Sequence, residues 1–203
     1  MAALWPLDSL TTVLLAIFGY LCGSIPFGLI FTRMAGLGDI RQIGSGNIGT
    51  TNVLRTGSKK LAAATLIADA LKGTVPVLIG WRWGAEGAAI AGLAAFLGHL
   101  LPVWLRFKGG KGVATFLGVM FGFAWPLGLL FLALWISIAL VTRYSSVGGM
   151  SATMLTALAC IASHMDWLGA VAVLMAAIVL LAHRENIMRL RQGTESKIRL
   201  SKK

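Results

Sequence analysis

The chain has 203 residues, of which 57% are hydrophobic and only 12% are charged, whereas about 25% of the residues in an average soluble domain are charged. This composition excludes an ordinary soluble enzyme, a disordered chain and a nucleic-acid-binding module in spite of the net charge of +11, because a soluble fold needs more polar surface. The two cysteines lie in apolar runs, which excludes a disulfide-stabilised secreted domain. Unbroken rather than alternating apolar segments indicate an all-α integral membrane protein.

Seven apolar segments predict a bundle of seven membrane-spanning helices. They cover residues 10–31, 61–80, 85–104, 113–123, 126–142, 148–163 and 167–182. The fourth and fifth belong to one apolar run that is too long for a single span. Trp125-Pro126 lies near the middle of this run, and proline is typical of a turn or of the first residue of a helix.

The basic residues predict the orientation of the bundle, because lysine and arginine favour the cytoplasmic side. With seven spans and the N-terminus outside, all 18 lysines and arginines except Lys72 and Arg82 fall on the side of the C-terminus. Six spans would place the basic tail outside. We therefore expect one transmembrane domain, residues 1–203, with a cytoplasmic C-terminus. Its cytoplasmic parts would be basic, glycine-rich loops at 33–60, 105–112 and 143–147 and a tail at 183–203.

The first cytoplasmic loop contains the segment GSGNIGTTNVLRTG, residues 44–57. Its glycines allow several backbone N–H groups to point at one position. Ser45, Asn47 and Thr51 supply small donors, and the planar guanidinium of Arg55 suits phosphate. The segment predicts an anion site. A flexible polar loop whose Arg55 faces lipid headgroups is the alternative.

The second loop, RFKGGKGVAT at residues 106–115, is a glycine turn that opens directly onto a predicted helix. Lys108 and Lys111 flank Gly109 and Gly110, and helix N-termini bind phosphate through free N–H groups. This arrangement predicts a second phosphate site, with a basic membrane anchor as the alternative. It is not a Walker A loop, because glycine follows Lys111 where that motif has serine or threonine.

The third link and the tail add three polar candidates. Ser146 either caps the sixth helix or offers its hydroxyl to a ligand, and its position leaves both open. His183 and Asn186 share one face if the seventh helix continues beyond the membrane, where His183 is either a catalyst or an interfacial side chain. The three histidines lack metal-ligand spacing, so we expect no metal and no cofactor.

Polar side chains also lie within the predicted spans. Asp69 and Lys72 share one face of the second span, and charges at that depth require pairing or water. We expect an ion pair that holds the bundle together, with a water-lined polar pocket as the alternative. His99, near the inner end of the third span, is expected to be buried with its hydrogen bonds satisfied.

Four segments occur together in a recognisable order: GSGNIGTTNVLRTG, GHLLPVWLRFKGGKGVAT, RYSSVGG and HRENIMRLRQGTE, which cover about a quarter of the chain. In this combination the sequence resembles the bacterial acyl-phosphate–glycerol-3-phosphate acyltransferase family. The resemblance implies transfer of a fatty acyl group from acyl phosphate to the 1-hydroxyl of glycerol 3-phosphate. The products would be lysophosphatidate and phosphate, at the first step of phospholipid synthesis.

The resemblance also implies roles for individual residues. Ser45 and Arg55 correspond to the essential positions of the first motif, and Lys108–Gly112 to the glycerol-phosphate loop. The expected catalytic residues are Ser45, His183 and Asn186. The expected substrate- and phosphate-binding residues are Asn47, Thr51, Arg55, Lys108, Gly109, Gly110, Lys111 and Ser146. Glu195 matches a residue that we expect to hold the tail in place.

Chemistry supports direct transfer, because acyl phosphate is already activated and needs only positioning and charge stabilisation. No serine–histidine–acid arrangement suggests a covalent acyl-enzyme. We favour His183 as a hydrogen-bond partner rather than a base. The expected partners are acyl phosphate, glycerol 3-phosphate, membrane lipids of the bacterial inner membrane and the enzyme that produces acyl phosphate. The alternative function is a small transporter or channel for an anionic metabolite.

Overall fold

The computed structural model describes residues 5–198, and in this part of the chain it contains ten α-helices, three short 3-10 helices and no β-strand. The α-helices are α1 (Ser9–Gly23), α2 (Phe27–Met34), α3 (Thr50–Leu54), α4 (Lys59–Gly80), α5 (Gly84–Leu100), α6 (Val113–Phe123), α7 (Trp125–Thr142), α8 (Ser145–Ala162), α9 (Asp166–Ala182) and α10 (Arg184–Arg191). The 3-10 helices are Ile40–Gln42, Trp81–Trp83 and Val103–Leu105. The final part of the predicted basic tail, residues 199–203, lies outside the described residues.

Several of the described helices are long and apolar enough to cross a membrane. Four segments meet this condition, Ser9–Met34, Lys59–Leu105, Trp125–Thr142 and Ser145–Ala162, and α9 with α10 make a fifth if the bent pair is one span. The second segment contains both α4 and α5. These two helices pack antiparallel, because Gly80 lies against Gly87 at one end while Asp69 approaches His99 at the other. The all-helical prediction is confirmed for the described residues, and the number of seven spans stays a prediction.

The first predicted helix is wrong as a continuous element, because the chain breaks between α1 and α2 at Ser24-Ile25-Pro26. Proline lacks the backbone N–H that would continue the helix. The break leaves the Ile25 carbonyl without a helical donor, and the ammonium of Lys72 donates to it at 2.7 Å. A buried lysine on α4 thus satisfies the broken end of the neighbouring helix.

Two other predicted boundaries are also corrected. Helix α5 ends at Leu100 rather than near residue 104, because the residue before Pro102 is pushed out of the helical region. Helix α8 begins at Ser145, so Tyr144 is its N-cap and Ser146 lies within its first turn. The capping role considered for Ser146 is therefore wrong.

The seventh predicted helix ends as expected at Ala182, but it does not continue straight. Helix α10 follows after a bend of 54° at His183. The predicted break between the fourth and fifth helices is confirmed, since Ala124 is extended and Pro126 lies in the first turn of α7.

Close packing of small residues joins the helices. Added Cβ atoms at Gly19 and Gly23 of α1 would overlap the backbone at Ala91 and Ala95 of α5. A small apolar cluster lies beneath the first loop and anchors it to α2 and α4; it consists of Leu29, Ile40, Ile48, Val53 and Ala62. The main core is built from residues of all six helices from α4 to α9 and includes Phe96, Phe116, Met120 and Met175.

The polar residues predicted within the spans are buried. The ion pair between Asp69 and Lys72 is confirmed, with 2.7 Å between Nζ and Oδ1. The prediction for His99 is half right: its side chain is buried, but its Nδ1 has no hydrogen-bond partner among residues 5–198.

Candidate active site

The first loop is organised around Asn52, a residue that the sequence did not single out. Its side chain is 2% exposed. Its Nδ2 donates to the carbonyls of Ile40, Ile43 and Asn47 at 2.7, 3.1 and 2.8 Å. Its Oδ1 accepts from the backbone N–H of Ser45 at 3.2 Å and from Arg55 at 3.3 Å. One amide therefore sets both the loop backbone and the direction of the guanidinium.

Arg55 joins the first loop to the tail. Its second terminal nitrogen donates to the hydroxyl of Ser196 at 2.6 Å. Close by, the hydroxyls of Thr51 and Ser145 lie 3.1 Å apart, which connects the first loop to the start of α8. Segments that are up to 141 residues apart in the chain thus meet at one end of the bundle.

Glu195 collects three donors from two helices. Its Oε1 accepts from Ser146 at 2.7 Å and from Asn186 at 2.6 Å, and its Oε2 accepts from Arg189 at 2.7 Å. Burial alone would raise the pKa of this carboxyl. The three hydrogen bonds favour the charged form, and the pKa lies below its usual value. Glu195 consequently fastens the tail to α8 and α10.

Lys111 lies at the start of α6 and points into the same cluster, where its ammonium donates to the amide oxygen of Asn186. Burial, followed by the nearby guanidinium of Arg189, lowers the pKa of Lys111. Gly112 follows with φ of +85° and is the N-cap of α6, a conformation in which a side chain would be strained. The turn therefore needs glycine to aim Lys111 toward Asn186.

A cavity of about 310 Å³ lies beside Lys111. It is lined by Asn47, Leu100, Leu101, Phe107, Gly109, Gly110, Lys111, Ala182, Arg184 and Glu185. The lining contains both polar and apolar residues, so an amphiphilic ligand would match it. The N–H groups of Gly109 and Gly110 donate to the carbonyls of Leu100 and His99. These two glycines therefore admit close packing and do not offer their N–H groups to a ligand.

His183 is placed at the bend between α9 and α10 and is 4% exposed. Its Nδ1 lies 2.8 Å from the carbonyl oxygen of Val179. A carbonyl can only accept, so Nδ1 carries the proton and Nε2 is left as an acceptor. Burial first, and then the nearby Lys111, lowers the pKa of His183 to about 4, although its contact with Val179 acts in the opposite direction. The imidazole is therefore neutral at physiological pH.

Most of the predicted site residues form one continuous set of contacts. Ser45 and Arg55 meet at Asn52, Arg55 reaches the tail at Ser196, and Glu195 joins Ser146 to Asn186. Asn186 contacts Lys111. Asn47 lines the adjoining cavity, as do Gly109 and Gly110.

Three predicted residues lie outside this set. Thr51 contacts Ser145, and the ring of His183 contacts the Val179 carbonyl and does not line the cavity. The third is Lys108. It is exposed, does not line the cavity, and its ammonium makes no hydrogen bond within residues 5–198. The prediction from the sequence did not include four residues that make contacts here: Asn52, Ser145, Arg189 and Ser196. Asn52 lies inside the first motif, and its position between two polar candidates, Thr51 and Arg55, was the only local signal.

The attachment of the tail leads to a first prediction. We expect Glu195→Gln to lower the melting temperature of the detergent-purified protein by a few degrees, since about 1 kcal/mol corresponds to roughly 2–4 °C for a chain of this size. The amide cannot pair with Arg189, and its NH2 group can face a donor. We also expect faster trypsin cleavage at Arg191.

The pH dependence of this effect has a defined sign. A carboxyl with a depressed pKa stabilises the folded state above its unfolded pKa of about 4.3. The difference between the wild type and Glu195→Gln should thus be complete at neutral pH and should vanish as the pH falls through the folded pKa. Glu185→Gln is the control, because Glu185 is exposed and lies 3.9 Å from Arg189. Equal melting temperatures for all three proteins would contradict the assignment.

Known proteins match this chain over most of its length. A family model described as glycerol-3-phosphate acyltransferase matches residues 13–193. A glycerol-3-phosphate acyltransferase of Brucella anthropi is 58% identical over 190 residues, which is 94% of this chain and 94% of the relative. One of Sinorhizobium medicae is 58% identical over 197 residues, 96% of each chain.

Two crystal structures are also similar to this fold, both of PlsY (YgiH), an integral membrane glycerol 3-phosphate acyltransferase. The glycerol 3-phosphate form has a TM-score of 0.89 and 38% identity, and the match covers 93% of this chain and 96% of that one. The lysophosphatidic acid form has a TM-score of 0.86 and 38% identity, with 92% and 94% covered.

Proposed function

Because the chain belongs to the glycerol-3-phosphate acyltransferase family, we propose that it uses acyl phosphate as the donor and acylates the 1-hydroxyl of glycerol 3-phosphate. The chain is an acyltransferase and an integral membrane protein with several apolar helices. The observation that carries the proposal is the convergence of Arg55, Lys111, Ser146 and Asn186 beside an amphiphilic cavity. Two phosphate-bearing substrates require such a group of cationic and neutral donors.

The proposed reaction is a direct transfer. The 1-hydroxyl oxygen of glycerol 3-phosphate attacks the carbonyl carbon of acyl phosphate, and a new C–O ester bond forms. The C–O bond to the phosphate breaks, and inorganic phosphate leaves with the electron pair. A phosphate oxygen of the donor takes the proton of the attacking hydroxyl, so no covalent acyl-enzyme is needed.

The residues have different roles in this reaction, which depend on their charge and position. Lys111 and Arg55 neutralise phosphate and the negative charge that develops during transfer. Ser45, Asn47, Thr51, Ser146 and Asn186 supply neutral hydrogen bonds to the substrates. Gly109 and Gly110 contribute by leaving room for the ligand. Lys108 acts from the surface, where it attracts anions without holding them.

The acyl chain has a separate route. Leu100, Leu101, Phe107 and Ala182 are apolar residues that line the cavity, and the side chains of Leu101 and Phe107 are exposed. In a membrane these exposed side chains would meet lipid, so an acyl chain can stay in the hydrocarbon phase while its phosphate reaches Lys111.

His183 serves as a hydrogen-bond partner and is not the base. With a pKa of about 4, its imidazole is a weak acceptor for a proton at neutral pH. Its free Nε2 can accept a hydrogen bond from a substrate hydroxyl and orient it.

A second prediction follows for the pH dependence of turnover. Between about pH 5.5 and 8 the turnover of the wild type, plotted against pH, should show no rising or falling limb caused by His183. An imidazole with so low a pKa does not titrate in that range. His183→Ala should be slower but should keep the same profile. A limb present in the wild type and absent from a still-active His183→Ala enzyme would make His183 the base.

We further propose seven spans, with the N-terminus outside and the C-terminus and the active site on the cytoplasmic side of the bacterial inner membrane. The positive-inside distribution supports this orientation. The contact set also joins the ends of α2, α5, α7 and α9 to the starts of α4, α6 and α8, which is consistent with a single face. The enzyme that makes acyl phosphate is the expected supplier of the donor.

The test of the proposed function is a donor comparison. Full-length protein in detergent receives glycerol 3-phosphate with acyl phosphate, acyl-CoA or acyl carrier protein, and the release of phosphate and the formation of lysophosphatidate are measured. Of the three donors, we expect only acyl phosphate to support turnover, and we expect phosphate and lysophosphatidate to form in equal amounts. Turnover only with a thioester would refute the donor, and phosphate release without lysophosphatidate would refute the transfer.

A further inference from the structure

Three polar side chains lie in the interior between α4 and α5 and take no part in the proposed reaction. Asp69, Lys72 and His99 are 2%, 5% and 3% exposed. Lys72 Nζ lies 2.7 Å from Asp69 Oδ1, and His99 Nδ1 lies 3.9 Å from the same oxygen. None of the three lines the cavity beside Lys111. Buried charges of this kind are costly, and well-packed apolar residues often stabilise a core equally well, so stability alone is a weak reason for the cluster.

The cluster reaches the active site at its His99 end. The backbone N–H of Gly110 donates to the His99 carbonyl at 3.0 Å, and the Nε2 end of the imidazole lies nearest to the same glycine. A Cβ atom added at Gly110 would overlap the ring at Nε2, Cε1 and Cδ2. Gly110 precedes Lys111, so the position of this ring sets the position of the turn that carries the ammonium.

At its other end the cluster is fixed to the helix break. Lys72 donates to the Ile25 carbonyl between α1 and α2, and its ammonium also lies 5.7 Å from the centre of the Phe27 ring. Lys72 thus pairs with Asp69, and Asp69 Oδ1 lies 3.9 Å from His99 Nδ1, which makes no hydrogen bond within the described chain. The imidazole is held between a carboxylate on one side and a glycine on the other.

We propose that Asp69, Lys72 and His99 form a positioning cluster that places the Gly109-Gly110-Lys111 turn, with His99 as the residue in direct contact. The cluster acts through the turn and touches no substrate. This inference rests on the proposed function only where turnover is the measurement. It differs from a purely structural ion pair because it couples His99 to Gly110 specifically.

The test is a pair of substitutions whose effects should cancel in part. Gly110→Ala should lower turnover by roughly 100-fold, because a new Cβ displaces the turn and a displacement of about 1 Å has an effect of this size. His99→Ala removes the ring that the Cβ meets. The double variant His99→Ala/Gly110→Ala should therefore be at least about tenfold more active than Gly110→Ala alone, a coupling expected only of residues in contact.

The matched control for the glycine is Gly169→Ala in α9, where an added Cβ meets other atoms only at 3.5 Å or more. It should keep wild-type turnover, and adding His99→Ala should give no rescue there. If His99→Ala does not fold, His99→Ser, which keeps a polar group but also removes the ring, takes its place. A double variant no more active than Gly110→Ala would overturn the proposal.

A second measurement does not depend on catalysis. Hydrogen exchange of the amides in residues 107–112 should be faster in His99→Ala and in Asp69→Asn than in the wild type, while Gly169→Ala leaves it unchanged. If the wild type shows no turnover with acyl phosphate, the proposed function fails and the exchange result still tests the cluster. Unchanged exchange in both variants would overturn the cluster and would leave the proposed function standing.

Discussion

Lys111→Ala is expected to lower turnover with acyl phosphate by on the order of 100-fold or more, the effect found when a donor that stabilises developing charge is removed. Lys111 is half-buried at the start of α6 and its ammonium contacts Asn186, whereas the neighbouring Lys108 is exposed. The measurement is steady-state phosphate release by the purified variant. Circular dichroism and the melting temperature verify that the helices are retained.

Two other lysines make this prediction specific. Lys60 is exposed in the first turn of α4, and Lys60→Ala should stay within about twofold of the wild type, as is usual for surface substitutions. Lys108 is exposed three residues before Lys111, and Lys108→Ala should have a much smaller effect than Lys111→Ala. Equal losses for Lys108→Ala and Lys111→Ala would mean that net charge near the membrane, rather than a defined contact, is what matters.

Asn52→Leu is expected to have the second large effect, although Asn52 touches no substrate in the proposed mechanism. The leucine has a similar branched shape but cannot hydrogen-bond. It would leave the Ile40 and Asn47 carbonyls and the Ser45 N–H without their partner, at roughly 1–3 kcal/mol for each buried group left unpaired. We expect loss of turnover on the order of 100-fold, because Ser45 and Arg55 lose their common support.

Asn52→Asp separates two explanations of that loss. The carboxylate keeps the shape and can still accept from Ser45 and Arg55, but it cannot donate to the three carbonyls. If the donor side is what shapes the loop, Asn52→Asp should be as inactive as Asn52→Leu. Near wild-type turnover of Asn52→Asp would instead show that the contacts to Ser45 and Arg55 are sufficient. Gln42→Ala, the loss of an exposed amide in the same loop, is the control and should be close to wild type.

The candidate site was largely predictable from the sequence because its residues occur in short segments of polar and glycine residues within an apolar chain. Polar side chains are rare in such a chain, so the segments that contain Ser45, Arg55, Lys111 and Asn186 stand out. Lys108 had the same local appearance as Lys111. Only the turn of the chain at Gly109–Gly112 separates a lysine that faces the surface from one that points at Asn186.

The residues that organise the site could not be recognised in the same way. The role of Asn52 depends on carbonyls five to twelve positions away, and that of His99 depends on a turn that folds back onto the end of α5. Asparagine in a polar loop and histidine near the end of a helix are ordinary in sequence. Their importance comes from the distant segments of the chain that the fold places next to them.

The sequence by itself determined the class of the protein, the position of the break between α6 and α7 and the segments that would carry the chemistry. Hydrophobic length and the distribution of charge depend only on local composition, so they can be read along the chain. The tertiary structure alone decided the break between α1 and α2 that Lys72 satisfies, the 54° bend at His183 and the joining of Arg55, Ser146 and Asn186 through the tail. Each of these depends on contacts between residues far apart in the chain, and such contacts form only when the helices have packed.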